Sequence, residues 1–101
     1  MSKKFIQQKQ QLFGTKAINR HSNNSVSTSS SWDVTLNANT SVFRIYSDND
    51  CYLTINTTAN TSNWDYFIPA LNVIDLYNYE SANTIGIIAT SANSSVIIGE
   101  Y

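Results

Sequence analysis

From residue 32 onward, apolar side chains recur at every second position in a series of short runs. Trp32, Val34 and Leu36 alternate with Asp33, Thr35 and Asn37. Phe43 and Ile45 alternate with Arg44 and Tyr46, and Cys51, Leu53 and Ile55 with Tyr52, Thr54 and Asn56. A period of two puts successive side chains on opposite sides of an extended chain, so each run reads as a strand with one face in a core. Residues 84–90 and 95–101 close the sequence as two further strands. Ile85, Ile87 and Ala89 share one face there with Ile88 on the other; Val96 and Ile98 share one face with Ile97 and Tyr101 on the other. Residues 64–68 read as a short strand stopped by Pro69, and residues 71–79 as a strand on the strength of Val, Ile and Tyr. Ser47-Asp48-Asn49-Asp50 reads as a hairpin turn, and Ser91-Ala92-Asn93-Ser94 joins the last two strands into a closing hairpin. The expected fold is all-β: a small antiparallel β-sandwich or barrel of six to seven strands with an extended N-terminal arm. Its expected core is Trp32, Val34, Leu36, Phe43, Ile45, Leu53, Ile55, Ile85, Ile87, Val96 and Ile98.

Composition agrees with strands and narrows the chemistry. Ser, Thr and Asn supply 37 of 101 residues, and their side chains compete with helix hydrogen bonds. One Cys excludes a disulfide within the chain, and one Cys with one His excludes a Cys/His zinc site. The length excludes a two-domain dehydrogenase or a TIM barrel. No apolar stretch is long enough for a membrane helix, and no membrane partner is expected.

Charge divides the chain in two. Lys3, Lys4, Lys9, Lys16 and Arg20 are the only charged side chains in the first 20 residues. Beyond them lie seven acids and a single base, Arg44. Residues 21–31 are a low-complexity run of Ser and Asn. Residues 1–31 therefore read as a basic polar arm and linker, and residues 32–101 as the sandwich domain. The arm has no apolar run of secretory type; its apolar pairs, Phe5-Ile6 and Leu12-Phe13, are the natural points of insertion into a partner. Contact of the arm with nucleic acid is not favoured, because DNA would repel the acidic body.

Residues for catalysis are sparse. His21, the only His, falls in the linker, where a rigid base is not expected. Cys51 shares a face with Leu53 and Ile55 and reads as a buried structural thiol. Asp48 and Asp50 have the alternate spacing of calcium ligands, but no Gly and Glu follow at loop spacing, so the turn reading is preferred. The three Gly are isolated, which leaves no phosphate loop. No enzyme and no cofactor are expected. Trp64, Asp65, Tyr66 and Phe67 form an aromatic cluster that suits a protein interface or sugar stacking, or else covers one end of the sandwich.

A domain of about 70 residues has a marginal core without a staple, so association is expected. The last two strands are apolar on both sides, and Ile88, Ile97 and Tyr101 are expected at the centre of an interface face.

Three segments carry a likeness to a family: Val42–Ser47 and residues 51–56 about an acidic turn, Ile68-Pro69-Ala70 opening a late strand, and the closing pair 84–90 and 95–101. In these the chain resembles the small β-sandwich structural proteins of tailed bacteriophage virions, of the capsid auxiliary or decoration type. The bias toward Asn, Ile, Ser and Thr resembles AT-rich phages of gut bacteria. The resemblance implies a non-enzymatic protein located in the virion that binds the major capsid protein or another virion protein as a homo-oligomer or in a symmetric multi-copy array. The long polar linker departs from the pattern, and a tail or fibre-adaptor position fits the same residues. A carbohydrate-binding module is the rival reading; it requires Trp64, Tyr66 or other aromatics on an exposed platform with Asn and Asp beside it.

Overall fold

The computed structural model describes residues 17–78 and 83–101. Among these residues eight strands form and no helix: β1 (Asn19–Val26), β2 (Trp32–Thr35), β3 (Val42–Ser47), β4 (Cys51–Ile55), β5 (Tyr66–Ile68), β6 (Val73–Tyr77), β7 (Thr84–Ala89) and β8 (Ser94–Glu100). They make two antiparallel sheets of four: a front sheet ordered β1-β8-β3-β6 and a back sheet ordered β2-β7-β4-β5. The pairs β1·β8, β2·β7, β3·β6 and β4·β5 are those of one long antiparallel ribbon folded at its middle. The further pairs β3·β8 and β4·β7 close that ribbon into two sheets. This is the jelly-roll arrangement, in which the chain crosses repeatedly from one sheet to the other.

The alternating runs fill the space between the sheets. Val34, Leu36, Phe43, Ile45, Leu53, Ile85, Ile87, Val96 and Ile98 form one buried cluster, with Trp32 and Ile55 packed against its edge. Val26, Cys51, Ile68 and Ala89 complete the cluster.

Three expectations need correction. The sandwich has eight strands among the described residues, because the supposed linker supplies β1. Of that strand only Val26 is buried, so it carries no alternating apolar signal. Its place is secured by backbone pairing with β8, from Asn19 opposite Glu100 to Val26 opposite Ser94, with a bulge between Asn23 and Val26. An edge strand needs only such pairing and a cover for the rim of the core.

The two expected hairpins are also absent. β3 and β4 lie in different sheets, as do β7 and β8, so both short connections are corners between sheets. The acidic turn binds to the other corner instead of closing on itself. Asp48 Oδ1 accepts hydrogen bonds from Ser95 N (2.7 Å) and Ser94 Oγ (3.0 Å). Asp50 Oδ1 accepts from Ala70 N (2.7 Å), and Thr90 N donates to the Asp50 carbonyl (3.1 Å). Protein hydrogen bonds thus account for one oxygen of each carboxylate.

Part of the back sheet is covered outside by its own chain. The connection 56–63 folds over Gly86, where an added Cβ would lie 2.7 Å from both Ala59 N and Thr57 O. Gly86 is therefore required by close approach of backbone rather than by its dihedral angle. Gly86→Ala is expected to destabilise by about 1–3 kcal/mol, as for other overpacked sites. Urea denaturation measures the loss, and faster proteolysis within residues 56–63 would locate it. An unchanged urea midpoint would show that the connection yields freely.

Candidate interaction surface

The two outer faces of the sandwich differ. On the front sheet, cross-strand register sets Ser22, Ile97, Tyr46 and Val73 in one row, and Arg20, Gly99, Arg44 and Asp75 in the next. Tyr77, Val42 and Tyr101 continue the same face toward Ile18. Ile97 is 50% exposed, although it sits on a central strand. Val73, Tyr77 and Ile18 are exposed too, while Tyr46, Val42 and Tyr101 are half-buried. The Tyr101 ring folds back over Gly99, about 3.0 Å from where a Cβ would stand. With Arg20, Ile97 and Gly99 it lines a shallow hollow. Burial raises the Tyr101 phenol above its usual pKa, opposed by the charges of Arg20 and Arg44.

At the centre of this face the charge is matched internally. Arg44 Nε and Nη2 each donate to an Asp75 oxygen, at 2.5 and 2.6 Å, in a bidentate pair across β3 and β6. The hydrogen bond to Asp75 raises the Arg44 pKa further, against the opposing effect of burial. Apolar and aromatic side chains therefore surround a neutralised ion pair.

The expected interface face of Ile88, Ile97 and Tyr101 is corrected by this geometry. Ile97 and Tyr101 do share the front outer face. Ile88 belongs to the back sheet, opposite Tyr52, and is 3% exposed. The reason is the corner between β7 and β8, which turns their outward residues to opposite sides of the molecule. Tyr46, Val73 and Tyr77 were not anticipated as members of the face. Their alternation with buried neighbours was readable, but no sequence signal placed β6 beside β3.

Around β4 and β5 the back sheet carries aromatic rings. Tyr52 stacks on Trp64 with centroids 4.5 Å apart and planes 12° from parallel. Phe67, directly across from Tyr52, lies 6.0 Å away and is tilted. Asp65 holds this arrangement against β4: its N–H donates to the Leu53 carbonyl (2.9 Å), and its Oδ2 accepts from Ile55 N (2.8 Å).

His21 is more ordered than a linker position suggested. It lies on β1, facing inward, and its Nε2 donates to Glu100 Oε2 at 2.5 Å. Glu100 Oε1 accepts from Asn37 N (2.6 Å) and Thr40 Oγ1 (2.7 Å). Burial of Glu100 pushes its pKa up, but hydrogen bonds from His21, Thr40 and Asn37, with the His21 charge, outweigh burial and hold it below the usual value. The cluster joins β1, β8 and the β2–β3 connection at one end of the sandwich. Cys51 is fully buried, and burial raises its thiol pKa, which opposes thiolate formation. Among the described residues no group of His, Cys, Asp and Glu is placed to hold a metal ion.

Of the expected arm residues, Arg20 lies on β1 within the front sheet, opposite Gly99. Lys3, Lys4, Phe5, Ile6, Lys9, Leu12, Phe13 and Lys16 lie outside the described residues. No family model matches the chain, and no curated protein or solved structure matches it.

Proposed function

We propose that this protein is a non-enzymatic structural component of a virion, an auxiliary subunit that docks on the protein shell through the outer face of its front sheet. The observation that carries the reading is the exposed apolar face of the front sheet: Ile97, Val73 and Tyr77 stand exposed there around an ion pair that is already matched. An apolar face of this kind on a small domain suits burial against another protein. Jelly rolls serve as capsid and lectin domains alike, so the fold supports the class of object and not the partner.

Ile18 and Arg20 lie at the edge of the same face, where the basic segment 1–16 enters β1. That segment would extend the docking surface, with Phe5-Ile6 and Leu12-Phe13 as apolar insertions and the Lys side chains set against carboxylates of the major capsid protein or another virion protein. Multiple copies would occupy symmetry-related positions on the shell.

Gradient-purified particles of the encoding virus, probed for this protein, give the test. The protein is expected to sediment with the particles. Ile97→Lys is expected to change folding stability by no more than about 0.5 kcal/mol, since the position is outward-facing. It should weaken docking by about thirtyfold, the equivalent of about 2 kcal/mol at an interface hot spot. Absence of the wild-type protein from particles, or full incorporation of the lysine variant, would reject the reading.

A further inference from the structure

We infer that Tyr52, Trp64 and Phe67 form a binding site for a neutral carbohydrate chain, separate from the face assigned to shell docking. The three rings make a continuous aromatic strip on the outer side of β4 and β5, with Tyr52 in the middle. Stacking covers one side of the Trp64 indole with Tyr52, yet Trp64 remains 41% exposed and Phe67 46%. A flat, exposed ring face fits the C–H face of a pyranose, which is apolar while its rim of hydroxyls is polar.

The surroundings select the ligand class. Apart from Ala59, the connection 56–63 that leads into Trp64 carries only Asn, Thr and Ser. Amides and hydroxyls both donate and accept hydrogen bonds, which matches sugar hydroxyls. Asp65, next to Trp64, has one oxygen committed to Ile55 N, and no base occurs anywhere in residues 51–78. Among the described residues an acidic polysaccharide would find no counter-charge here, since Arg20, His21 and Arg44 all belong to the front sheet. A protein hot spot would more often place Arg among such rings and surround them with apolar contacts.

The site is also ordered in advance. An Asn60–Asn63 bridge closes the turn before Trp64, Ser62 N donates to Asn60 Oδ1 (3.0 Å), and Asp65 is bonded twice to β4. Rings fixed before binding lose little conformational freedom on contact with ligand. Tyr66 is exposed beside them, but its partner across the sheet is the core residue Leu53, so it belongs to the rim of the core and not to the strip.

Titration of the full-length protein with soluble gluco-, manno- and galacto-oligosaccharides, followed by isothermal titration calorimetry, tests the site, with polygalacturonate as the acidic comparison. A saturable change with at least one neutral sugar is expected. Trp64→Ala should weaken it by about tenfold or more, and Ile97→Lys should leave it intact. Phe67→Ser, on the exposed edge strand, provides the same readout if Trp64→Ala does not fold. No response to any neutral sugar, a response only to polygalacturonate, or undiminished binding in folded Trp64 and Phe67 variants would overturn the assignment.

Discussion

Replacing Leu53 by alanine is expected to remove about 2–5 kcal/mol of folding stability, the range for buried Leu-to-Ala changes that leave a cavity. Leu53 is fully buried on β4, between Ile87 of β7 and Tyr66 of β5 in register. Its methyl groups fill the gap between the sheets, where Phe43, Ile45 and Ile98 stand in the same cluster. Whole domains of this size are stable by only about 5–15 kcal/mol, so the loss would take a large share of the total. Nor does a staple limit the damage, since Cys51 is the one cysteine and is free. Urea unfolding of the two proteins measures the difference. A loss below about 1 kcal/mol would mean that the sheets close over the vacated volume more readily than such cores do.

Glu100→Gln is expected to cost about 1–3 kcal/mol at neutral pH, the penalty for leaving a buried polar group poorly paired. The carboxylate serves three donors from two segments, His21 Nε2 of β1 and Asn37 N and Thr40 Oγ1 of the β2–β3 connection. A glutamine carbonyl can keep the last two, but its amide can pair with His21 only if the ring gives up its Nε2 proton and accepts instead, which loses the charge-assisted bond. The folded-state pKa of Glu100 lies below the ordinary value of 4.5. The carboxylate's contribution is therefore fully present above about pH 4.5 and is lost as pH falls through the depressed folded value. Urea midpoints for both proteins should lie well apart at pH 7 and approach one another as the pH falls below that range. A constant gap down to pH 3 would show that ionisation of Glu100 does not contribute to stability.

Much of the fold was legible from residue types. The runs beginning at Trp32, Phe43, Cys51, Ile85 and Val96 each became a strand, and their inward residues became the core, because alternation is a local property and burial acts on each face separately. β1 was not legible. An edge strand that buries only Val26 carries no hydrophobic period, and its Ser and Asn residues resemble a linker in composition. Glu100 was equally hidden: it follows Val96 and Ile98 on the inward face, and it takes distant donors, His21 79 positions earlier in the chain with Asn37 and Thr40, to make a charge acceptable there. Of the expected interface residues, Ile97 and Tyr101 kept their company and Ile88 did not, which turned on the sheet in which each strand lay.

Apart from β1, local sequence determined which segments extend, which side of each faces inward, and where the chain turns, since these depend on side-chain alternation and on Asn, Asp and Ser at the turns. Tertiary structure alone decided the pairing. A short turn such as 48–50 serves a hairpin or a corner between sheets equally well, and the choice rests on partners far away in sequence: Ser94 and Ser95 for Asp48, Ala70 for Asp50. Because β3 and β4, and again β7 and β8, part into opposite sheets, the outward residues of the chain divide between two surfaces. One collects Ile97, Val73 and Tyr77, and the other carries Tyr52, Trp64 and Phe67 beside the connection 56–63 that folds over Gly86. That division follows from closing one ribbon around a common core, a global constraint that no window of the sequence contains.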